Sequence, residues 1–194
     1  MPRRAQHSKE NLVELALEQF WTAGYFASSM DDLVKSTGVS RYGIYSAFGG
    51  KDELFLACFE VYQKTVVTPA FAQVEALGAD LDAVRRYFEY QIQRASEAGL
   101  PGPGCLVANS TTEVAPVMPE AKAMVEAHNA RLKSGFTNAL NNSGTGDAKV
   151  VHALADVMVV FTNGFWATSR VTNDAETLRS CVEDFLNMIE EAAK

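Results

Sequence analysis

The 194-residue sequence contains three cysteines, and their number and spacing argue against a disulfide-bonded fold and against a zinc-stabilised fold. Cys58, Cys105 and Cys181 form an odd, scattered set without a CxxC pair, which argues against a disulfide framework and against a structural zinc site. His128 and His152 are isolated from each other, and neither has a second histidine at ligand spacing. We therefore predict no metal site and no cofactor.

The sequence also lacks a long uninterrupted apolar stretch. It contains no run of 18 apolar residues, and the N-terminal sequence Met1–Arg4 lacks the apolar segment of a secretion signal. These two absences predict a cytoplasmic protein without a membrane-spanning helix and without a membrane partner.

The sequence also lacks an excess of positive charge, and its net charge is −7. Nucleic-acid-binding proteins, in contrast, commonly carry a basic surface. Residues 1–55 are nearly neutral, and their cations lie at selected places. Arg3 and Arg4 are on a leading arm, and Arg41 and Lys51 flank a short helical pattern. We expect a local positive rim on an acidic protein, with few phosphate contacts and a shallow dependence of DNA binding on salt.

The segment from Ser29 to Leu54 is the most informative part of the chain, and it begins with a short helical pattern over Met30–Ser36. Ser29 can cap this helix, and Asp32 stands three residues later in the capping-box position. Gly38 follows where a glycine in the left-handed conformation would end the helix.

A second short helix is predicted over Arg41–Phe48, capped by Ser40. Only Ile44 and Phe48 are placed to be buried, so most of this helix faces outwards. A helix with so few core residues, crossing its predecessor after a tight turn, is typical of the reading helix of a helix-turn-helix. Its outward and leading positions are Arg41, Tyr42, Gly43, Tyr45 and Ser46.

These residues resemble the DNA-binding signature of the TetR/AcrR family of bacterial transcriptional regulators. The resemblance rests on Gly38-Val39-Ser40, Ile44-Tyr45, Phe48 and Lys51-Asp52-Glu53-Leu54-Phe55, and it extends back to Ala16, Phe20, Gly24 and Tyr25. The chain departs from the usual pattern at Tyr42, Gly43, Ala47 and Gly49-Gly50. We expect those departures to change the operator sequence rather than the fold.

The resemblance implies that the partner is double-stranded operator DNA. We expect Tyr45 and Lys51 to anchor phosphates, Ser40 to cap the reading helix within reach of a phosphate, and Arg41, Tyr42 and Ser46 to face bases. The complete predicted DNA-binding set is Arg3, Arg4, Ser29, Ser40, Arg41, Tyr42, Gly43, Tyr45, Ser46 and Lys51.

The periodicity of the whole chain predicts an all-α fold of about nine helices. The first runs over Lys9–Ala23, capped by Ser8, and a longer helix opens at Lys51 and is interrupted or bent at Pro69. Further helices are predicted near 80–97, 105–115, 119–142, 147–171 and 174–192. We predict a DNA-binding domain at 1–50 and a larger effector-binding and dimerisation domain at 51–194, linked by the helix from residue 51.

The last two predicted helices carry broad apolar stripes, and two interpretations remain open. The stripes are either part of an internal core or the faces that pair with a second copy in a four-helix bundle, where this family dimerises. The residues predicted at the dimer interface are Val151, Leu154, Met158, Leu178, Val182, Phe185, Leu186 and Ile189.

The resemblance further implies a repressor that a small, largely apolar effector releases from a palindromic operator. Candidate effector contacts are Phe88, Cys105, Asn109, Met124, His128, Phe161, Phe165 and Trp166, although most such side chains are simply core by base rates of burial. Cys105 offers an alternative switch, because a thiol in the first turn of a helix is expected to have a lowered pKa and to react with electrophiles. The opposing interpretation is a small buried packing residue.

Two other classes of function are weaker interpretations. Ser169, His152 and Asp156 supply the residue types of a catalytic triad, but the sequence has no nucleophile elbow and no phosphate-binding glycine loop, so we predict no enzyme. A helical dimeric adaptor that docks proteins through its first 55 residues is the remaining alternative.

Overall fold

The computed structural model describes residues 9–194, and the predicted contributions of Arg3, Arg4 and Ser8 lie outside this range. The all-α prediction is confirmed: the described residues form nine helices, one of which is a long rod in three parts. The elements are α1 (Lys9–Ala23), α2 (Met30–Thr37), α3 (Arg41–Phe48), α4 (Lys51–Tyr62), a π-helical turn (Gln63–Val67), α5 (Thr68–Glu75), α6 (Leu81–Ala98), α7 (Leu106–Glu113), α8 (Pro119–Asn142), α9 (Ala148–Thr168) and α10 (Ala175–Ala192).

The helix-turn-helix is defined by local capping. The Ser29 hydroxyl accepts a hydrogen bond from the amide of Asp32 at 3.2 Å, and the Asp32 carboxylate accepts one from the amide of Ser29 at 2.9 Å. Gly38 ends α2 with a φ of 69°, which a residue with a Cβ rarely adopts. Ser40 then starts α3 by accepting from the amide of Gly43 at 3.1 Å. These caps fix the crossing of the two helices.

The rod of α4 and α5 stays helical through Pro69, where the sequence predicts an interruption or a bend. The backbone widens into the π turn over Gln63–Val67 immediately before the proline. Pro69 has no N–H to donate to the carbonyl of Thr65, so a regular α-helix would lose a hydrogen bond at this point. The wider turn carries the helix past the proline without ending it.

Two apolar cores lie on either side of this turn. The first core is formed by α1, α2, α3, α4, α7 and the start of α8. Phe20, Phe55 and Phe59 are buried in it. The second core is formed by α5, α6, α8, α9 and α10, and it surrounds Phe88 and Phe136. The N-terminal head, which we define as α1 to α3 (residues 9–48), therefore shares a continuous core with helices of the larger predicted domain. The division into two domains at residue 50 remains a prediction.

The predicted dimer-interface residues lie in the second core, which corrects that part of the sequence analysis. Seven of them are buried inside the protomer, with 0–6% of their surface exposed, and Leu154 is partly buried; the seven are Val151, Met158, Leu178, Val182, Phe185, Leu186 and Ile189. The broad stripes serve α6 and α8 of the same chain. The exposed apolar residues are on the other side of α9 and α10, at Val157, Val160 and Met188, which are 51%, 72% and 63% exposed.

The expectation that no helix could span a membrane also needs correction. Within residues 9–194, one helix, α9, is long and apolar enough to do so by length and composition, and 33% of that stretch is buried inside the protein. Its sequence contains no run of 18 apolar residues because polar side chains, including His152, Asp156 and Asn163, interrupt it. A core helix of a helical protein meets the same criterion, and α9 packs on α8 and α10.

Candidate DNA-binding site

Helix α3 projects from the head with its apolar side buried and its polar side exposed. Ile44 is completely buried, whereas Tyr42 is 83% exposed and Tyr45 is 49% exposed. Arg41 and Ser46 are exposed on the same helix. The structure thus brings four of the predicted contact residues together on one free helix surface, which has the dimensions to enter the major groove.

Arg41 is held by a carboxylate of the preceding helix, a contact that the sequence analysis did not foresee. Its guanidinium lies 2.8 Å from the carboxylate of Asp31, and the two side chains are 57% and 85% exposed. An exposed pair of this kind contributes at most about 1 kcal/mol. A phosphate or a guanine edge can therefore compete with Asp31 for Arg41.

Gly43 and the two capping serines have local structural roles that differ from direct DNA contact. A Cβ on Gly43 would lie 2.7 Å from Cγ1 of Val39, so glycine allows α3 to approach the turn closely. The hydroxyl of Ser29 donates to Asp32 at 2.6 Å, and that of Ser40 accepts from the amide of Gly43. Gly43 itself is partly exposed in the first turn of α3, although a Cβ there would point at the turn, and its contact with DNA stays a prediction.

Lys51 lies at the start of α4 against an aromatic ring. Its ammonium is 4.1 Å from the ring centroid of Tyr25, and the Tyr25 hydroxyl donates a hydrogen bond to Asp52. Burial, together with the neighbouring Asp52 carboxylate, raises the pKa of Tyr25, so the hydroxyl remains a neutral donor. Partial desolvation lowers the pKa of Lys51. The Tyr25 ring, which is itself held by its hydrogen bond to Asp52, thus positions the Lys51 ammonium beside α3.

Glu113, at the end of α7, contacts the head and was missed by the sequence analysis. Its carboxylate accepts a hydrogen bond from the amide of Phe26 at 2.8 Å, across 87 residues of chain. A Cβ on Gly24 would lie 2.9 Å from the same carboxylate, and Gly24 has a φ of +91°. Only the glycine lets the turn between α1 and α2 approach α7 this closely, and no local pattern marks such a long-range contact.

Most of the predicted effector contacts are core residues. Phe88, Cys105, His128 and Phe165 are buried, and Phe161 stacks on Phe185 with 3.7 Å between the ring centroids. Met124 is partly buried against the first core, and the Asn109 side chain donates to the carbonyl of Pro103 at 2.9 Å. Trp166 borders a cavity of about 430 Å³ between α1, α4, α6 and α9. It is the one residue of the predicted set that does so.

Cys105 does not have the environment that was expected of a reactive thiol. It is buried at the N-cap of α7, and desolvation raises its pKa, with a hydrogen bond from Tyr62 only partly offsetting this effect. The expected lowering of the pKa by the helix dipole is wrong, because burial outweighs the dipole. Cys105 is a packing residue between α4 and α7.

The three residue types of a catalytic triad do not meet. The Ser169 hydroxyl donates to the carbonyl of Trp166 at 2.8 Å, Asp156 pairs with Lys133 at 2.6 Å, and His152 is exposed. Ser169, at the C-cap of α9, is more than three helical turns from Asp156 and more than four from His152. Within the described part of the chain, no group of three His, Cys, Asp or Glu side chains could hold a metal ion.

Comparisons with known proteins agree with this geometry. The model of bacterial regulatory proteins of the tetR family matches residues 12–58. The uncharacterized HTH-type transcriptional regulator YezE of Bacillus subtilis (strain 168) is 24% identical over 195 residues, which cover 98% of this chain and 100% of the relative. The HTH-type transcriptional repressor ComR of Escherichia coli (strain K12) is 28% identical over 109 residues, which cover 56% of this chain and 51% of the relative.

The fold has a solved counterpart that is bound to DNA. A cysteine mutant of the TetR family transcriptional regulator CifR, in complex with 26-bp double-strand operator DNA, superposes with a TM-score of 0.80 at 17% identity. The match covers 95% of this chain and 98% of that chain. Residues 12–58, which include the helix-turn-helix, thus match the tetR-family model, and the described residues 9–194 have the fold of the CifR regulator.

Proposed function

We propose that the protein is a cytoplasmic repressor that binds a palindromic operator as a homodimer and is released by a small-molecule effector. The observation that carries the proposal is the free surface of α3, on which Tyr42 and Tyr45 stand exposed above the buried Ile44. The matching relative ComR is named a repressor, and the CifR structure contains operator DNA, which supports repression through an operator.

Dimerisation is supported by the exposed apolar side of α9 and α10, where Val157, Val160 and Met188 lie outside the core. Gly164 is on the exposed side of α9, with no atom within 4 Å of the position of a Cβ, so a neighbouring helix could approach closely there. A second copy would cover this surface in a four-helix bundle. Its two α3 helices would then read half-sites about 34–36 Å apart.

The test is binding of the purified protein to a labelled duplex from the DNA upstream of its own coding region, with an unrelated duplex as competitor. Tyr45→Ala should weaken binding to the upstream duplex about tenfold, since it removes an exposed phosphate contact of α3. Tyr90→Ala is the matched control, because Tyr90 is 41% exposed but lies on α6, away from the head. Equal losses in the two variants, or no preference for the upstream duplex, would contradict the proposal.

A further inference from the structure

The cavity of about 430 Å³ is formed jointly by the DNA-binding head and the rest of the protein. Trp21 of α1 and Trp166 of α9 line it, together with Tyr62 of α4 and the loop at residues 99–104. The ring of Trp21 contacts the edge of Tyr62 with 5.0 Å between centroids. The chain has two tryptophans, and both border this space. Its volume is in the range of small-molecule sites, and flat apolar walls suit an aromatic ligand.

The loop at residues 99–104, which lines the cavity, is hydrogen-bonded to residues of three different helices or their ends. The indole N–H of Trp21 donates to the carbonyl of Gly104 at 2.9 Å. The Asn109 side chain of α7 holds the carbonyl of Pro103 at 2.9 Å, and the amide of Gly102 donates to the carbonyl of Ser169 at 3.3 Å. The Trp21 bond comes from α1 of the head, whereas the other two come from α7 and from the end of α9, in the rest of the protein, which we call the body. A molecule that binds beside Trp21 therefore contacts the interface between the head and the body.

The polar groups of the cavity give it a chemical preference. Arg94 and Gln91 line it from one face of α6, three residues apart, and both are hydrogen-bond donors. Within residues 9–194, Arg94 forms no ion pair, and its recorded contact is the ring of Tyr90 at 5.9 Å. Glu18 lines the opposite, α1 side with a single carboxylate. A guanidinium can bind a carboxylate through two parallel hydrogen bonds, so the α6 side favours an acid.

We infer that this cavity is the effector site of the repressor, and that it takes a flat aromatic carboxylic acid whose rings lie between Trp21 and Trp166 and whose carboxylate binds Arg94. That the ligand acts as an effector rests on the proposed function, whereas the position of the site and its ligand class rest on the cavity alone. A ligand seated there competes with the Gly104 carbonyl for the space at Trp21. It thereby favours an arrangement of the head in which the Trp21–Gly104 bond is broken.

The test measures binding to the DNA-free protein, so its failure is separate from failure of the proposed regulation. Naphthalene-2-acetic acid, its primary amide and 2-(naphthalen-2-yl)ethylamine share one flat ring system and differ in charge. Calorimetric titration should give the acid a dissociation constant at least about tenfold lower than that of the amide or the amine. Because both tryptophans border the cavity, the acid should also change the tryptophan emission, and Trp21→Phe should remove part of that change.

Variants separate the anchor from general charge effects. Arg94→Gln should weaken the acid about tenfold and leave the amide unchanged. Arg86→Gln is the matched control, because Arg86 is exposed on the same helix but does not line the cavity. Ala95→Leu should weaken all three probes by filling the space, with helicity confirming that it folds. Tighter binding of the amine, an acid affinity insensitive to Arg94→Gln, or no binding of the acid at about 1 mM would overturn the inference.

Discussion

The side-chain nitrogen of Gln63 lies 3.0 Å from Nδ1 of His128, which joins the π turn of the rod to α8. At this distance the amide N–H can donate to an unprotonated Nδ1, so the contact suits a neutral imidazole. Burial, with a smaller effect of the Arg131 charge, lowers the pKa of His128 from its ordinary value near 6.5 to about 4. The imidazole is therefore neutral at physiological pH.

This lowered pKa predicts acid sensitivity of the fold. Between pH 6.5 and 4 the unfolded chain binds a proton at His128 that the folded chain does not, so the free energy of unfolding falls as the pH is lowered through this range. Above pH 6.5 the histidine is mostly neutral in both states, so it does not lower the free energy of unfolding. By pH 4 the free energy of unfolding is about 3 kcal/mol lower because of this group. Urea unfolding at a series of pH values measures it.

The control for this prediction is His128→Gln, which keeps a hydrogen-bonding side chain opposite Gln63 but cannot titrate. Its unfolding free energy should depend less steeply on pH by the equivalent of one proton over the same range. His152→Gln changes an exposed histidine and should leave the slope as it is in the parent protein. A parent-like slope in His128→Gln would show that other groups cause the acid sensitivity.

Glu113 is predicted to hold the turn between α1 and α2. Glu113→Ala removes the acceptor of the Phe26 amide and should cost about 1 kcal/mol, with faster amide hydrogen exchange at residues 24–28 than in the parent protein. Glu191→Ala, at an exposed position on α10, is the matched control. Unchanged exchange at the turn would mean that the core, and not Glu113, positions the head.

Releasing Arg41 should strengthen DNA binding. Asp31→Asn removes the carboxylate that lies 2.8 Å from the guanidinium, and it also removes a negative charge beside α3. The affinity for DNA should rise about two- to fivefold, and binding should depend more steeply on salt concentration. Asp184→Asn makes the same charge change on α10 and should have no comparable effect. Fluorescence anisotropy at several salt concentrations distinguishes the two, and weaker binding by Asp31→Asn would show that Asp31 positions Arg41 for DNA.

A side chain at Gly43 should destabilise the head. Gly43→Ala places a methyl group 2.7 Å from Cγ1 of Val39, and overpacking of this kind costs about 1–3 kcal/mol, partly offset by the better helix propensity of alanine. Adding Val39→Ala to the same chain should restore stability. Gly146→Ala is the control, because nothing lies within 4 Å of the Cβ there. Denaturant midpoints provide the measurement, and failure of Val39→Ala to rescue would point to a different contact.

The exposed side of α9 should control the oligomeric state. Val160→Asp puts a charge at a residue that is 72% exposed in the protomer, so it should leave the fold intact and yield monomers if a second copy covers this surface. Val171→Asp, at an 81% exposed residue beyond the end of α9, should leave the oligomer unchanged. Light scattering after size-exclusion chromatography reports the mass, and a dimer in Val160→Asp would place the interface elsewhere.

Features set by neighbouring residues could be predicted from the sequence. The bounds of α2 and α3 follow from Ser29, Gly38 and Ser40, because a cap acts within one helical turn. The exposure of Tyr42 and Tyr45 follows from the period of an eight-residue helix whose one fully buried position is Ile44.

Features set by distant parts of the chain could not be predicted. Helix α9 is apolar over most of its circumference, so its sequence does not show which stripe faces α8 and which faces a partner. For Cys105, the local expectation from the helix dipole was reversed by burial under other helices. Trp21 and Gly104 are 83 residues apart, and no periodicity links an indole to a loop carbonyl at that separation.

The π turn at Gln63–Val67 has a consequence for the rotational register between the two cores. An α-helix advances about 100° per residue, so one residue more or less in this turn rotates α5 by that angle relative to α4. With the present turn, Phe59 faces the first core while Phe71 faces the second. Deleting Thr65, which is exposed, would bring one of these rings to the surface. The number of residues in the π turn therefore sets the rotation of the head relative to the body.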